Sequence, residues 1–175
     1  MIDSKIINKS EYDKQFHKTI AIYHTRYNTN LFTSIVIIVA LLVLTIQSIT
    51  LQEYTYAIVM GIFATVIFPI LFFLVPYIIN VTRYKTLLKR GNGKPFFMTI
   101  ELTDKEIRYR SSLNEADVIK YEHIKQMMVY KGILIITTLN NRPLYLREDS
   151  YVRGNKESCH QLLENKTKLT IKEGK

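Results

Sequence analysis

The sequence predicts a membrane α+β protein: a two-helix transmembrane hairpin followed by a cytoplasmic antiparallel β-barrel or sheet closed by a C-terminal helix. Three observations carry this prediction. Unbroken hydrophobicity is confined to Leu31–Val81, where Glu53 is the sole charged residue. Lys and Arg flank that stretch and are missing from it. After Phe96 the hydrophobic period changes from the helical value to the strand value of two.

The whole-chain averages, 175 residues with net charge +9 and mean hydropathy +0.02, describe neither half. Residues 1–30 carry 5 Lys/Arg against 3 Asp/Glu, and residues 82–175 carry 19 against 11. The last 90 or so residues suffice for one small folded domain, which excludes a large enzyme. One cysteine, Cys159, excludes an intramolecular disulfide framework.

Two uncharged stretches, Leu31–Ile49 and Tyr56–Val81, each match the ~20 residues that cross a bilayer as a helix. The six residues Thr50–Thr55 between them force an antiparallel hairpin. That loop has no base, whereas Arg26 precedes the first stretch and Arg83, Lys85, Lys89 and Arg90 follow the second. Positive charge stays inside, so the expectation is a multi-pass protein of the cell membrane with both termini cytoplasmic. The four bases after the second span are placed to touch anionic lipid headgroups, and equally to satisfy that topology rule. Ala57, Gly61, Thr65, Pro69 and Pro76 fall within about 120° of one another on a helix, a small-residue face for packing inside the hairpin or between two copies of the chain. No ionisable residue lies in either span to run proton or ion coupling.

Before the first span, Tyr12, Phe16, Ile20, Tyr23 and Tyr27 recur at helical spacing over Glu11–Asn28, with Ser10 as the expected cap. His17 and His24 share a face but have no further ligand nearby in sequence, so no metal site is expected.

Gly91-Asn92-Gly93 reads as a turn, and the Lys-Ser/Thr of a phosphate loop is missing after it. Strands are then expected at Phe96–Leu102, Ile107–Ser111, Ala116–Tyr121, Gln126–Tyr130, Ile133–Leu139 and Leu144–Arg147. A helix capped by Asn155 follows, with Cys159, Leu162 and Leu163 on one face. A helix across one opening of a bent antiparallel sheet describes a PH-like domain. The resulting organisation is an arm (1–30), a hairpin (31–82), a linker (83–95), a PH-like domain (96–166) and a basic tail (167–175), with Ile2–Asn8 as a possible extra strand.

In this order of parts the chain resembles the YcxB-like family of bacterial membrane proteins. The residues carrying the likeness are Glu11-Tyr12…Phe16…Tyr23-His24, Leu102-Thr103-Asp104-Lys105-Glu106-Ile107, Val118 to Lys125, and Leu144-Tyr145-Leu146-Arg147. Tyr121 and Ile124 fit the family's "W/Y-x-x-I" run, while Tyr151 stands where Phe is commoner. The resemblance implies a membrane-tethered PH-like domain and supplies no catalytic residue or cofactor. Some small proteins of this kind look like immunity partners of secreted toxins.

No constellation of nucleophile, base and orienting group is present at a recognisable spacing, so the chain is read as a binding protein and not an enzyme. If Ile107 and Tyr109 face inward, Lys105, Arg108, Arg110 and Lys120 fall on the outer side, a cluster suited to a lipid headgroup or an acidic partner, or simply to solvent. Nucleic acid is not expected, because aromatic residues are not interleaved with these bases. The partners left open are membrane lipids, a toxin, a membrane-complex subunit and a second copy of the chain.

Overall fold

The computed structural model describes residues 5–27, 30–67, 70 and 74–174. The chain divides into two compact units, Met1–Asp13 with Leu87–Lys175, and Lys14–Thr86.

Among the described residues the first unit holds nine strands in two sheets. The strands are β1 (Ile6–Glu11), β2 (Phe97–Leu102), β3 (Glu106–Ser111), β4 (Ala116–Lys120), β5 (Ile124–Tyr130), β6 (Ile133–Thr138), β7 (Pro143–Arg147), β8 (Tyr151–Arg153) and β9 (Ile171–Glu173). A five-stranded sheet runs β4-β3-β2-β1-β8 and a four-stranded sheet runs β7-β6-β5-β9. The expected barrel is therefore corrected: among the described residues the strands form two separate sheets and no closed barrel. One reason is β1. It enters between β2 and β8, pairing Ile6 with Leu102 and Glu11 with Phe97, so the first sheet is completed from the far end of the sequence.

The two sheets share one core. Ile100, Leu102 and Ile107 from the first meet Met127, Leu134, Ile136 and Leu146 from the second. Helix α5 (Lys156–Thr167) adds Cys159 and Leu163, both fully buried. Asn155 and Ser158 form a reciprocal capping box at its start, and Lys168 in the left-handed region ends it. Strand β6 is buried along both faces from Ile133 to Ile136, as its unbroken apolar run implies.

The second unit contains helices α1 (Lys14–Tyr27), α2 (Asn30–Thr50) and α3 (Tyr54–Ile62), a π-helical turn at Phe63–Ile67, and the greater part of α4 (Val75–Arg90). α2 and α3 are antiparallel neighbours. Gln52 at φ 60° closes α2, with the Glu53 amide on the Ser48 carbonyl at 2.8 Å and the Gln52 amide on that of Ile49 at 3.0 Å.

The two membrane spans are overturned. Among the described residues no helix is long and apolar enough to cross a membrane. Among the described residues the stretch expected as the second span is not one α-helix: α3 gives way to the π-helical turn, Ile70 and Leu74 are also π-helical, and α4 carries Arg83, Lys85, Lys89 and Arg90 in its second half. The expected cell-membrane location and inside–outside topology rested on those spans and fall with them. Many apolar side chains of α2 and α3 are nonetheless exposed, among them Val39, Val43, Ile46, Tyr56 and Ile58.

The expected packing face is reached in part. Ala57 is buried, and a Cβ placed on Gly61 would lie 3.6 Å from Thr45 Cγ2, so Gly61 faces α2. Thr65 is exposed and turns its hydroxyl back to the Gly61 carbonyl. Ala64, outside the expected set, is buried instead, because the π-helical turn advances the register. Pro76 is the second residue of α4. Pro69 lies outside the described residues.

Ser10 does not cap α1. It sits buried in β1, and α1 starts four residues later at Lys14. His17 packs in this helical unit with its ring 6.0 Å from Tyr84. Burial, and secondarily Arg83, hold His24 below the ordinary histidine value.

Candidate functional site

In the first sheet, strand alternation sorts side chains onto two faces. Ile100, Leu102 and Ile107 turn to the core. Thr99, Glu101, Arg108, Arg110, Ala116 and Val118 turn outward and, with Tyr109 and Asp117, line a groove of about 520 Å³. Cross-strand pairing sets the spacing: Thr99 opposes Arg110 and Arg110 opposes Ala116, while Glu101 opposes Arg108 and Arg108 opposes Val118.

The charges on this face are unevenly compensated. Lys5 Nζ lies 2.9 Å from Glu101 Oε2. The Arg108 guanidinium meets Glu106 Oε1 at 2.7 Å through both Nε and Nη2. Asp117 accepts from the Tyr109 hydroxyl at 3.2 Å and from the Val118 amide at 2.8 Å. Partial burial, and then Asp117, raise the Tyr109 phenol above its ordinary value. The Arg110 guanidinium has no ion pair or hydrogen bond among the described residues, and it borders the apolar pair Ala116 and Val118. The groove thus offers an uncompensated, permanently charged fork beside a small apolar floor, a combination suited to a carboxylate on an extended chain.

The four outward bases expected from the sequence are not equivalent. Arg108 and Arg110 line the groove. Lys120 stands at the end of β4 opposite Glu106, 3.7 Å from Glu122. Lys105 belongs to the turn between β2 and β3, outside the groove lining. The sequence reading missed Lys5, Lys9 and Arg153. β1 brings Lys5 and Lys9 to this sheet, and Arg153 pairs with Ile7. No alternation announces β1, since its buried positions include Asn8 and Ser10.

The second basic cluster does not form a single patch. Arg83, Lys85, Lys89 and Arg90 all lie on α4 and are exposed. By helical periodicity Arg83 and Arg90 share one side, and Lys85 and Lys89 the other.

A further group of titratable residues surrounds the start of α5. Glu148 Oε2 accepts Lys156 Nζ at 2.9 Å, and Glu148 Oε1 lies 3.2 Å from His160 Nε2. Cys159 and Tyr151 are adjacent, but burial pushes the thiol up to about 11. A nucleophilic cysteine needs the opposite shift. His160 projects toward Glu148 while Cys159 points into the core, as neighbours about 100° apart on a helix must. Among the described residues, no three His, Cys, Asp or Glu converge as a metal site.

No protein-family model and no curated protein matches this chain. The chemistry of the groove is therefore read from its own residues.

Proposed function

We propose that this chain is a non-catalytic interaction protein whose outer sheet face captures an acidic region of a partner protein. The single observation that carries the reading is Arg110: an uncompensated guanidinium in a groove, beside Ala116 and Val118, on a face whose carboxylates are already engaged. The elevated thiol pKa and the divergent Cys159 and His160 support binding over nucleophilic catalysis. The resemblance to the YcxB-like family suggests the partner's class, a secreted toxin that this chain neutralises.

Arg108 is tied to Glu106 and Lys105 lies outside the groove, so support for a lipid-headgroup site on this face is weaker. The test is complex formation with the product of each neighbouring gene, together with growth protection when that product is expressed. A cognate toxin is expected to bind the wild-type chain and to bind Arg110→Glu at least about tenfold more weakly. A neighbouring toxin neutralised equally well by Arg110→Glu would remove the groove from the interaction. Protection against none of them would remove the immunity role.

A further inference from the structure

We propose that the open edge of β4 receives an extended acidic segment of the partner as a sixth strand, with one of its carboxylates held by Arg110 across Ala116. This inference rests on the acidic-partner reading and adds the mode of binding.

The five-stranded sheet ends at β4. The ladder fixes which main-chain groups face out. At the hairpin the Ser111 amide bonds the Glu115 carbonyl, and counting back along the antiparallel pair makes Tyr109–Asp117 and Ile107–Ile119 the hydrogen-bonded pairs. Ala116, Val118 and Lys120 therefore turn their amides and carbonyls away from β3. The Val118 amide agrees: it bonds Asp117 Oδ1 instead of the ladder. Asp117 thereby occupies the place an incoming strand's carbonyl would take, a cover that a side-chain rotation removes.

The other sheet edges are closed or short. β8 and β9 have three residues each. β7 begins at Pro143, which has no amide hydrogen, and its Arg147 amide and carbonyl are already bonded to Ser10 Oγ and Asn8 Nδ2. The Tyr145 carbonyl accepts from the Tyr12 hydroxyl. Among the described strands β4 is thus the one with both the length and the free groups for strand addition.

Side-chain placement supplies the specificity. Val118 is 50% exposed on the groove face, ready to pack against an apolar residue of an added strand. Strands lie about 4.8 Å apart, so an added strand sits two spacings from β3. Ala116 separates Arg110 from that position, and its single methyl leaves the way open for the long guanidinium side chain. Main-chain bonds would give affinity, and alternate side chains the selection for acid.

The experiment titrates the full chain with three capped nine-residue peptides that alternate the tested side chains along one face, two residues apart: Val-Thr-Glu-Thr-Val-Thr-Glu-Thr-Val (Val/Glu), the same with Lys for Glu (Val/Lys), and the same with Glu for Val. Amide exchange is followed at Ala116, Val118 and Lys120. The Val/Glu peptide is expected to bind, to slow exchange at these three amides, and to lose about tenfold or more in affinity on Arg110→Glu and on Val118→Pro. Binding that Arg110→Glu weakens but Val118→Pro leaves unchanged, with no slowing at the three amides, overturns strand addition and leaves the acidic-partner reading in place. Binding of the Val/Lys peptide as tight as that of Val/Glu, or no binding of either acidic peptide, overturns both. If Val118→Pro fails to fold, amide exchange in the wild-type chain decides alone.

Discussion

Asn8 donates its side-chain amide to the main-chain carbonyl of Arg147 at 2.7 Å, joining the middle of β1 in one sheet to the end of β7 in the other. The link is reciprocal. Ser10 Oγ donates to Asn8 Oδ1 at 2.6 Å and accepts from the Arg147 amide at 2.9 Å. Both side chains are fully buried, so each needs its partner. Asn8→Leu is expected to cost about 1–3 kcal/mol by leaving the Arg147 carbonyl and the Ser10 hydroxyl unsatisfied. Ser10→Ala should cost a similar amount, and the double variant less than the sum, because the two share one network. Denaturant unfolding of the three variants checks this. Additive losses would show that the two residues act separately.

Gly154 tests the seam between β1 and α5. It adopts φ +82°, and a Cβ there would lie 3.1 Å from two carbons of Ile6 and 3.3 Å from Ser158 Oγ. Gly154→Ala thus combines left-handed strain of about 1–2 kcal/mol with crowding of a core residue and of the helix cap. Gly154→Asn relieves part of the strain and none of the crowding. The expected order of thermal stability is wild type, then Asn, then Ala. Equal losses would assign the whole effect to crowding.

Much of the first unit was legible because its chemistry is local. Strands β2 to β7 follow from alternating side chains and from turn residues, and α5 follows from Asn155 and the spacing of Cys159, Leu162 and Leu163. β1 was legible only as a possible extra strand at Ile2–Asn8, whereas the pairing strand is Ile6–Glu11. Its partners lie some 90 residues away, and its buried positions hold Asn8 and Ser10, whose fitness for the core depends on Arg147. The hairpin was legible as apolar and antiparallel, but composition says nothing of where α3 yields to a π-helical turn. The outward set was visible as four bases. That Glu106 quenches Arg108 while Arg110 stands alone is a matter of cross-strand register.

The α5 cap makes a smaller, sharper prediction. Asn155 Oδ1 accepts the Ser158 amide at 2.8 Å, and Ser158 Oγ accepts the Asn155 amide at 3.1 Å. Asn155→Ala should lower stability by about 1 kcal/mol and Asn155→Asp by much less, since Asp caps equally well. Because α5 seats Cys159 and Leu163 in the core, the loss should appear in global unfolding as well as in fraying of the first turn. Amide exchange at Ser158 separates the two. Faster exchange there with unchanged global stability would mean that α5 forms independently of the core.

Alkaline pH should unfold this protein through groups the core holds neutral. Burial pushes the Cys159 thiol from an ordinary 9.0 up to about 11. Burial likewise raises the Tyr12, Tyr121 and Tyr151 phenols well above 10.0. The sign follows from proton counts. Between the ordinary and the raised values the unfolded chain has released protons that the native chain retains, so unfolding is favoured as pH rises. The stabilisation is complete below about pH 9 and is lost as pH climbs through 11 and beyond. Native Cys159 should therefore resist a thiol reagent at pH 8, reacting only as fast as the fold opens. Tyrosinate absorbance should show some of the 12 tyrosines titrating near pH 10 and the buried ones only together with loss of structure. Cys159→Ser should flatten the loss of stability between about pH 9 and 11, because it removes one group that ionises there. Rapid labelling of native Cys159 at pH 8, or one smooth phenol titration without unfolding, would contradict the burial of these side chains.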